Sequence, residues 1–262
     1  DAELQQFVQE ALQKGAQLFQ QGLLAEAETL CRKIFETAPG HPDANHLLGM
    51  IERKAGRSEQ AVKWFSMAIQ ENPDVAAYHG NLGNAFRDLG RLEDAVESYQ
   101  KTLSLKPDFL ETHSNLGVAL KELGRLDEAV ASFRAALAIK PDYFKAHINL
   151  GNALLKMMLY EDAEASYRAA LAVRPDSCNA HLWLANALRR QNRREDAVAS
   201  CRAALALAPD RAEAHSSLGT AFREMGRLDE AVDSYQRALS LDQDNAEAHS
   251  NLGVALADMG RL

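Results

Sequence analysis

Six histidines recur at intervals of 34 residues, at His79, His113, His147, His181, His215 and His249. Evenly spaced imidazoles suggest two chemistries, a metal chain or a proton relay. Metal ligands, however, must converge within about 2 Å of one ion, whereas equivalent positions on packed helices lie about 8–10 Å apart. The spacing therefore predicts core packing for the six. His41 and His46 have no matching Cys or carboxylate cluster beside them. Neither a nucleophile with its base nor a carboxylate pair stands apart from the periodic positions, so no catalytic residue, metal ligand or cofactor is expected.

A second series offers recognition chemistry. Two residues after each histidine stand Asn81, Asn115, Asn149 and Asn251, with Leu47, Trp183 and Ser217 at the equivalent places. Three residues further on stand Asn84, Asn152 and Asn186, with Met50, Val118, Thr220 and Val254. An asparagine amide carries both donor and acceptor, which is what one C=O and N–H pair of an extended peptide requires. Asn is a poor helix former, and Lys, Glu or Gln would serve solubility better. These asparagines and Trp183 are the candidate partner-binding residues. Beside them run Arg53, Arg87, Lys121, Arg189, Arg190 and Arg223, a candidate basic edge, although cations there also complement a helix C-terminus. Acids such as Asp88 and Glu224 at the next position cancel part of it. Arg189, Arg190, Arg193 and Arg194 gather near Trp183, the composition of a binding hot spot.

The elements that must carry these residues follow from the same period. Prolines at 39, 73, 107, 141, 175 and 209 mark it, with Gln243 in the next place. Seven repeats begin at Val8, Pro42, Ala76, Leu110, Phe144, Cys178 and Ala212; an eighth begins at Ala246 and runs for one helix. In each, apolar or small residues at helical spacing, such as His113, Leu116, Gly117 and Leu120, predict a helix A. Leu126, Ala129, Val130, Phe133, Ala136 and Leu137 predict a helix B. Gly22, Gly56, Gly90, Gly124, Gly226 and Gly260 stand at the joint, where a positive φ closes helix A, and pairs such as Asp127-Glu128 open helix B against its dipole. Glycines at 83, 117, 151, 219 and 253 face a recurring aromatic, Phe65, Tyr99, Phe133, Tyr167 or Tyr235, replaced by Cys31 and Cys201. Nothing predicts a strand.

Length and charge narrow the classes further. The 262 residues would form a single domain, 1–262, because stacked repeats share one continuous core. A net charge of -8 argues against nucleic acid as the partner. No apolar run is long enough for a membrane span. Three cysteines, none in a CxxC spacing, leave one unpaired under any scheme and point to a reducing, cytoplasmic compartment.

Period, small residues, aromatic and proline together resemble the tetratricopeptide repeat over the chain from Val8 onward. The resemblance implies an all-α, right-handed superhelical solenoid of helix hairpins whose A helices line a concave groove, and a scaffold that binds a protein or extended peptide there. More narrowly, NLGxAL with GRLDEAVxSYxxAL and LxPD resembles the repeat arm of the O-linked N-acetylglucosamine transferases and their bacterial relatives. In those, an asparagine ladder holds the backbone of extended substrates. That role carries over to Asn81, Asn115, Asn149 and Asn251 and is interrupted at Leu47, Trp183 and Ser217. It supports an alternative, the substrate-recognition arm of a larger glycosyltransferase. A carboxylate clamp fits less well: Asn84, Asn115 and Lys145 match, but Gly80 and Asn149 stand where cations are wanted. A third reading is self-association through the last helix, whose stripe of Leu252, Gly253 and Leu256 has no following helix B.

Overall fold

A computed structural model describes residues 2–38 and 40–260; Pro39, Asp1, Arg261 and Leu262 lie outside the described residues. The described residues form fifteen α-helices and no strand. They run α1 Ala2–Gln20, α2 Leu24–Thr37, α3 Pro42–Lys54, α4 Ser58–Glu71, α5 Ala76–Asp88, α6 Leu92–Leu105, α7 Leu110–Glu122 and α8 Leu126–Ile139. There follow α9 Phe144–Lys156, α10 Tyr160–Val173, α11 Cys178–Arg190, α12 Arg194–Leu207, α13 Ala212–Glu224, α14 Leu228–Leu241 and α15 Ala246–Asp258. Odd helices are the A helices and even ones the B helices. The chain forms two compact units, Asp1–Ser132 and Phe133–Leu262, the division falling inside α8. Within each unit, helices consecutive in sequence pack against one another, and successive A helices also touch. α1 begins six residues before Val8, so the first helix is longer than its period predicts.

The joint between A and B has one geometry throughout. After α5, Gly90 takes φ +72°, its N–H bonds to Arg87 O at 2.9 Å, and Arg91 N–H reaches Phe86 O at 2.9 Å. This closure satisfies carbonyls that the helix end would otherwise leave open. Arg91 then bonds Asp94 in the first turn of α6 at 2.7 Å. Two joints lack glycine yet keep the geometry, Met158 at φ 60° and Asn192 at φ 65°.

The second, third, fifth and seventh hairpins close on a glycine–aromatic contact. A Cβ on Gly83 would stand 2.7 Å from the Tyr99 ring, and one on Gly151 or Gly219 would be 2.5 or 2.8 Å from the rings of Tyr167 or Tyr235. All three rings are fully buried. No real Cβ tolerates that approach, so the glycine is required by the ring. In the sixth repeat both partners change together, to Ala185 and Cys201.

The histidines depart from the expected role. His79 is buried, but His113, His147, His181 and His215 are half-buried and His249 is exposed. Each Nε2 is hydrogen-bonded to the carbonyl six residues earlier: Pro73, Pro107, Pro141, Pro175, Pro209 and Gln243, at 2.7–3.1 Å. The ladder therefore pins the loop between successive repeats rather than filling the core. The proline carbonyl needs a donor because that loop makes few backbone bonds, and the histidine at the helix start supplies it.

Candidate functional site

The asparagines are not on an unconstrained surface. In the first unit Asn81, Asn84 and Asn115 are half-buried and each is held by a neighbour. Asn81 Nδ2 donates to His46 Nε2 at 2.7 Å. The Tyr99 hydroxyl donates to Asn84 Oδ1 at 2.8 Å, and Asn115 Nδ2 donates to the same oxygen at 3.0 Å. Arg87 Nη1 donates to Asn115 Oδ1 at 3.2 Å. The rungs at 84 and 115 are thus joined directly. Asn84 has its oxygen occupied twice, leaving its two N–H donors, and each of the others also keeps unspent capacity. Alongside, Phe19, Met50, Arg53, Lys54, Phe65 and Asn81 surround a cavity of about 320 Å³.

His46 explains the fixed orientation of Asn81. Burial against Phe65 and Tyr78, at ring separations of 5.6 and 4.7 Å, pushes its imidazole down to about 4, with Asp43 opposing. The neutral ring presents an unprotonated Nε2 that can only accept.

In the second unit Asn149, Asn152, Asn186 and Asn251 are half-buried. Asn152 Oδ1 accepts from the Tyr167 hydroxyl at 2.7 Å, and Thr220 Oγ1 accepts from the Tyr235 hydroxyl at 3.1 Å. Asn186 has no tyrosine in its repeat; its Oδ1 accepts from Arg189 Nη2 at 3.2 Å. Trp183 is half-buried, its ring stacked on Tyr167 with centroids 6.3 Å apart. Trp183, Asn186, Arg189, Cys201, Ser217 and Thr220 line a cavity of about 240 Å³.

The partial cancellation expected of the basic edge takes the form of ion pairs at three of its six cations. Arg53 Nε bonds Asp88 Oδ2 at 2.6 Å, Arg189 bonds Glu224, and Arg223 Nη1 lies 3.7 Å from Asp258 Oδ2. Each joins one A helix to the next across 35 residues, an offset that would have exposed the pairing in the sequence. Arg87 is turned to Asn115, Lys121 is half-buried and Arg190 is exposed. The cluster near Trp183 disperses: of its four arginines only Arg189 lines the cavity with Trp183.

Arg193 instead meets Glu164 at 2.8 Å, where Arg168 at 2.9 Å and Gln191 at 2.9 Å also bond. Burial opposes ionisation of Glu164, but these hydrogen bonds and the charge of Arg193 outweigh it and hold the carboxyl below its usual range. Glu28 repeats the arrangement in the first unit, bonded by Arg32 at 2.8 Å and by Arg57 at 3.0 Å. Its carboxyl is lowered chiefly by the Arg32 bond. In both places Glu occupies the position of valines 62, 96, 130, 198 and 232. The break in the valine series is legible in the sequence itself. These clamps are structural, tying one hairpin to the next.

Two thiols are unsuited to nucleophilic work, burial alone raising Cys31 to about 12 and, against the charge of Arg189, Cys201 to about 12. Among the described residues no group of three or more His, Cys, Asp or Glu is placed to hold a metal. No helix among them is long and apolar enough to cross a membrane.

Three family models match the chain. One, described as TPR repeat, matches residues 83–124, 119–157 and 219–260; two described as tetratricopeptide repeat match 148–212 and 18–83. Among solved structures, the C-terminal part of a TPR repeat-containing protein from Cytophaga hutchinsonii is similar with a TM-score of 0.76 at 19% identity, covering 92% of this chain and 99% of that one. PilF of Pseudomonas aeruginosa is similar with a TM-score of 0.69 at 18% identity, covering 81% and 96%. YrrB, a TPR protein with an unusual peptide-binding site, is similar with a TM-score of 0.61 at 21% identity, covering 71% and 96%. At these identities the likeness is one of fold. No curated protein sequence matches.

Proposed function

The chain belongs to the tetratricopeptide repeat family, and from that premise we propose that it binds an extended segment of a protein partner along the face carrying its asparagines, with no catalysis of its own. The observation that carries this reading is the fixed orientation of half-buried amides in the first unit. Asn81 is held by His46, and Asn84 and Asn115 by each other, Tyr99 and Arg87. Amides held before binding lose little entropy when a peptide backbone uses their remaining donors and acceptors. YrrB, similar in fold, is described as having a peptide-binding site, which supports the same reading. Inter-helix ion pairs at Arg53, Arg189 and Arg223 spend the cations a phosphate backbone would need, which favours a peptide over nucleic acid. In this reading the repeats work as one domain, in the cytoplasm.

The motif phrasing favours a second, narrower reading, in which the partner segments are substrates of a glycosyltransferase to which this chain is an arm. Both readings use the same asparagines. A peptide array probed with the chain and with an Asn81→Ala, Asn115→Ala, Asn149→Ala variant tests them: capture should fall at least tenfold. Unchanged capture by a folded variant would overturn the ladder.

A further inference from the structure

The third, fifth and seventh repeats each place a buried tyrosine on a glycine, with its hydroxyl bonded to the side chain at the ninth repeat position: Tyr99 to Asn84, Tyr167 to Asn152, Tyr235 to Thr220. The sixth repeat keeps the acceptor, Asn186, and loses the tyrosine. Cys201 stands in its place. Ala185 fills only a methyl's worth of what the phenol vacates, and the cavity of about 240 Å³ remains beside Asn186. An apolar cavity of about 150 Å³ holds benzene, whereas sites for whole small molecules run to roughly 300–1,000 Å³. The space suits one large side chain.

Its walls suit an aromatic one. Trp183, steadied by its stacking on Tyr167, supplies a ring for offset or edge contact. Arg189, fixed by Glu224 and Asn186, supplies a guanidinium for a ring face. Asn186 Oδ1 has a second lone pair, which its counterparts at 84 and 152 give to a phenol. The rim is acidic. The charge of Arg189 is met by Glu224, and that of Glu213 by Arg211 at 2.6 Å, while Glu247, which also lines the cavity, has no ion pair among the described residues.

We propose that this cavity is the anchor pocket of the face, taking a tyrosine of the bound peptide whose hydroxyl donates to Asn186, with a basic residue beside it meeting Glu247. The inference rests on the peptide-binding reading above and names the peptide's chemistry. Burial keeps the Cys201 thiol neutral on the pocket floor, so it serves as apolar surface.

The test uses fluorescein-labelled octapeptides of Gly and Ser carrying a central Tyr-Lys pair, with Phe, Leu or Ala replacing Tyr, or Glu replacing Lys, measured by anisotropy. The Tyr peptide should bind at least tenfold more tightly than the Ala and Leu peptides, with Phe between, and the Glu peptide several-fold more weakly than its Lys parent. The paired variant Ala185→Gly, Cys201→Tyr restores the glycine–tyrosine contact of the neighbouring repeats, fills the pocket from within and should bind the Tyr and Ala peptides alike. On the unmodified chain, N-acetyltyrosinamide should compete with the Tyr peptide and N-acetylalaninamide should not, a readout that stands even if the variant misfolds. Equal binding of Tyr and Ala peptides, or a tyrosine preference surviving in the paired variant, overturns the pocket. If every peptide binds alike and all lose affinity on the triple asparagine variant, the pocket falls and the peptide-binding face stands. Absence of any binding at millimolar concentration overturns both.

Discussion

Asn81 Nδ2 lies 2.7 Å from His46 Nε2, an amide on α5 donating to an imidazole on α3. The bond exists only while His46 is neutral, because protonation would turn its Nε2 into a donor facing another donor. One of the proposed contact residues is therefore oriented by a titratable group.

A pH dependence follows. The folded-state value of His46 is depressed from 6.5 to about 4, so between those values the unfolded chain binds the extra proton and stability falls as pH falls. The contribution is complete above about 6.5 and lost by about 4. Between pH 7 and 5 the chain should lose about 2 kcal/mol from this group. Thermal unfolding across that range measures it. His46→Gln, which keeps an acceptor for Asn81 and cannot titrate, should flatten the slope; an unchanged slope would assign the effect elsewhere.

Gly83→Ala should destabilise the first unit by roughly 1–3 kcal/mol, the cost of overpacking, because the new Cβ would sit 2.7 Å from the Tyr99 ring. Adding Tyr99→Cys reproduces the Ala185 and Cys201 pair of the sixth repeat. Urea denaturation of the four-member cycle should give a double variant more stable than the sum of its single losses predicts. Additive losses would mean that the ring does not impose the glycine.

Met158 holds φ 60° at a joint where most repeats have glycine, and its side chain is 72% exposed. Left-handed backbone costs an L-residue about 1–2 kcal/mol, and little packing is lost with this side chain. Met158→Gly should therefore stabilise the protein by about 1 kcal/mol in denaturant titration. Asn192→Gly, at φ 65°, should gain less, since Asn tolerates this region better. Equal gains at both sites would contradict the argument.

Thiol labelling separates the cysteines. Cys31 and Cys201 are buried, Cys178 is half-buried, and burial raises the two buried thiols to about 12. At pH 8 a disulfide reagent should modify Cys178 first in the native protein and the other two on the timescale of unfolding. Rapid release of three thiols from folded chain would contradict the buried placement.

The 34-residue period was enough to place the helix pairs, the glycines of the joints and the aromatic partners, because stacking imposes the same small and large side chains at the same places in each hairpin. The departures at Met158, Asn192, Ala185 and Cys201 were visible as broken letters, and their backbone and packing consequences follow from the surrounding repeats. The period could also have revealed the ion pairs at an offset of 35, Arg53 with Asp88 and Arg189 with Glu224. What periodicity could not supply was the direction of polar side chains. The histidines read as core because their spacing matches the apolar stripe, yet each turns its Nε2 to a loop carbonyl. The asparagines read as amides available to a peptide, yet His46, Tyr99 and Arg87 already hold Asn81, Asn84 and Asn115. A one-dimensional pattern assigns a residue to a helix face; whether its hydrogen bonds go to solvent, to a loop or to the next helix depends on atoms 6 to 35 residues away, which only the packed structure brings within reach.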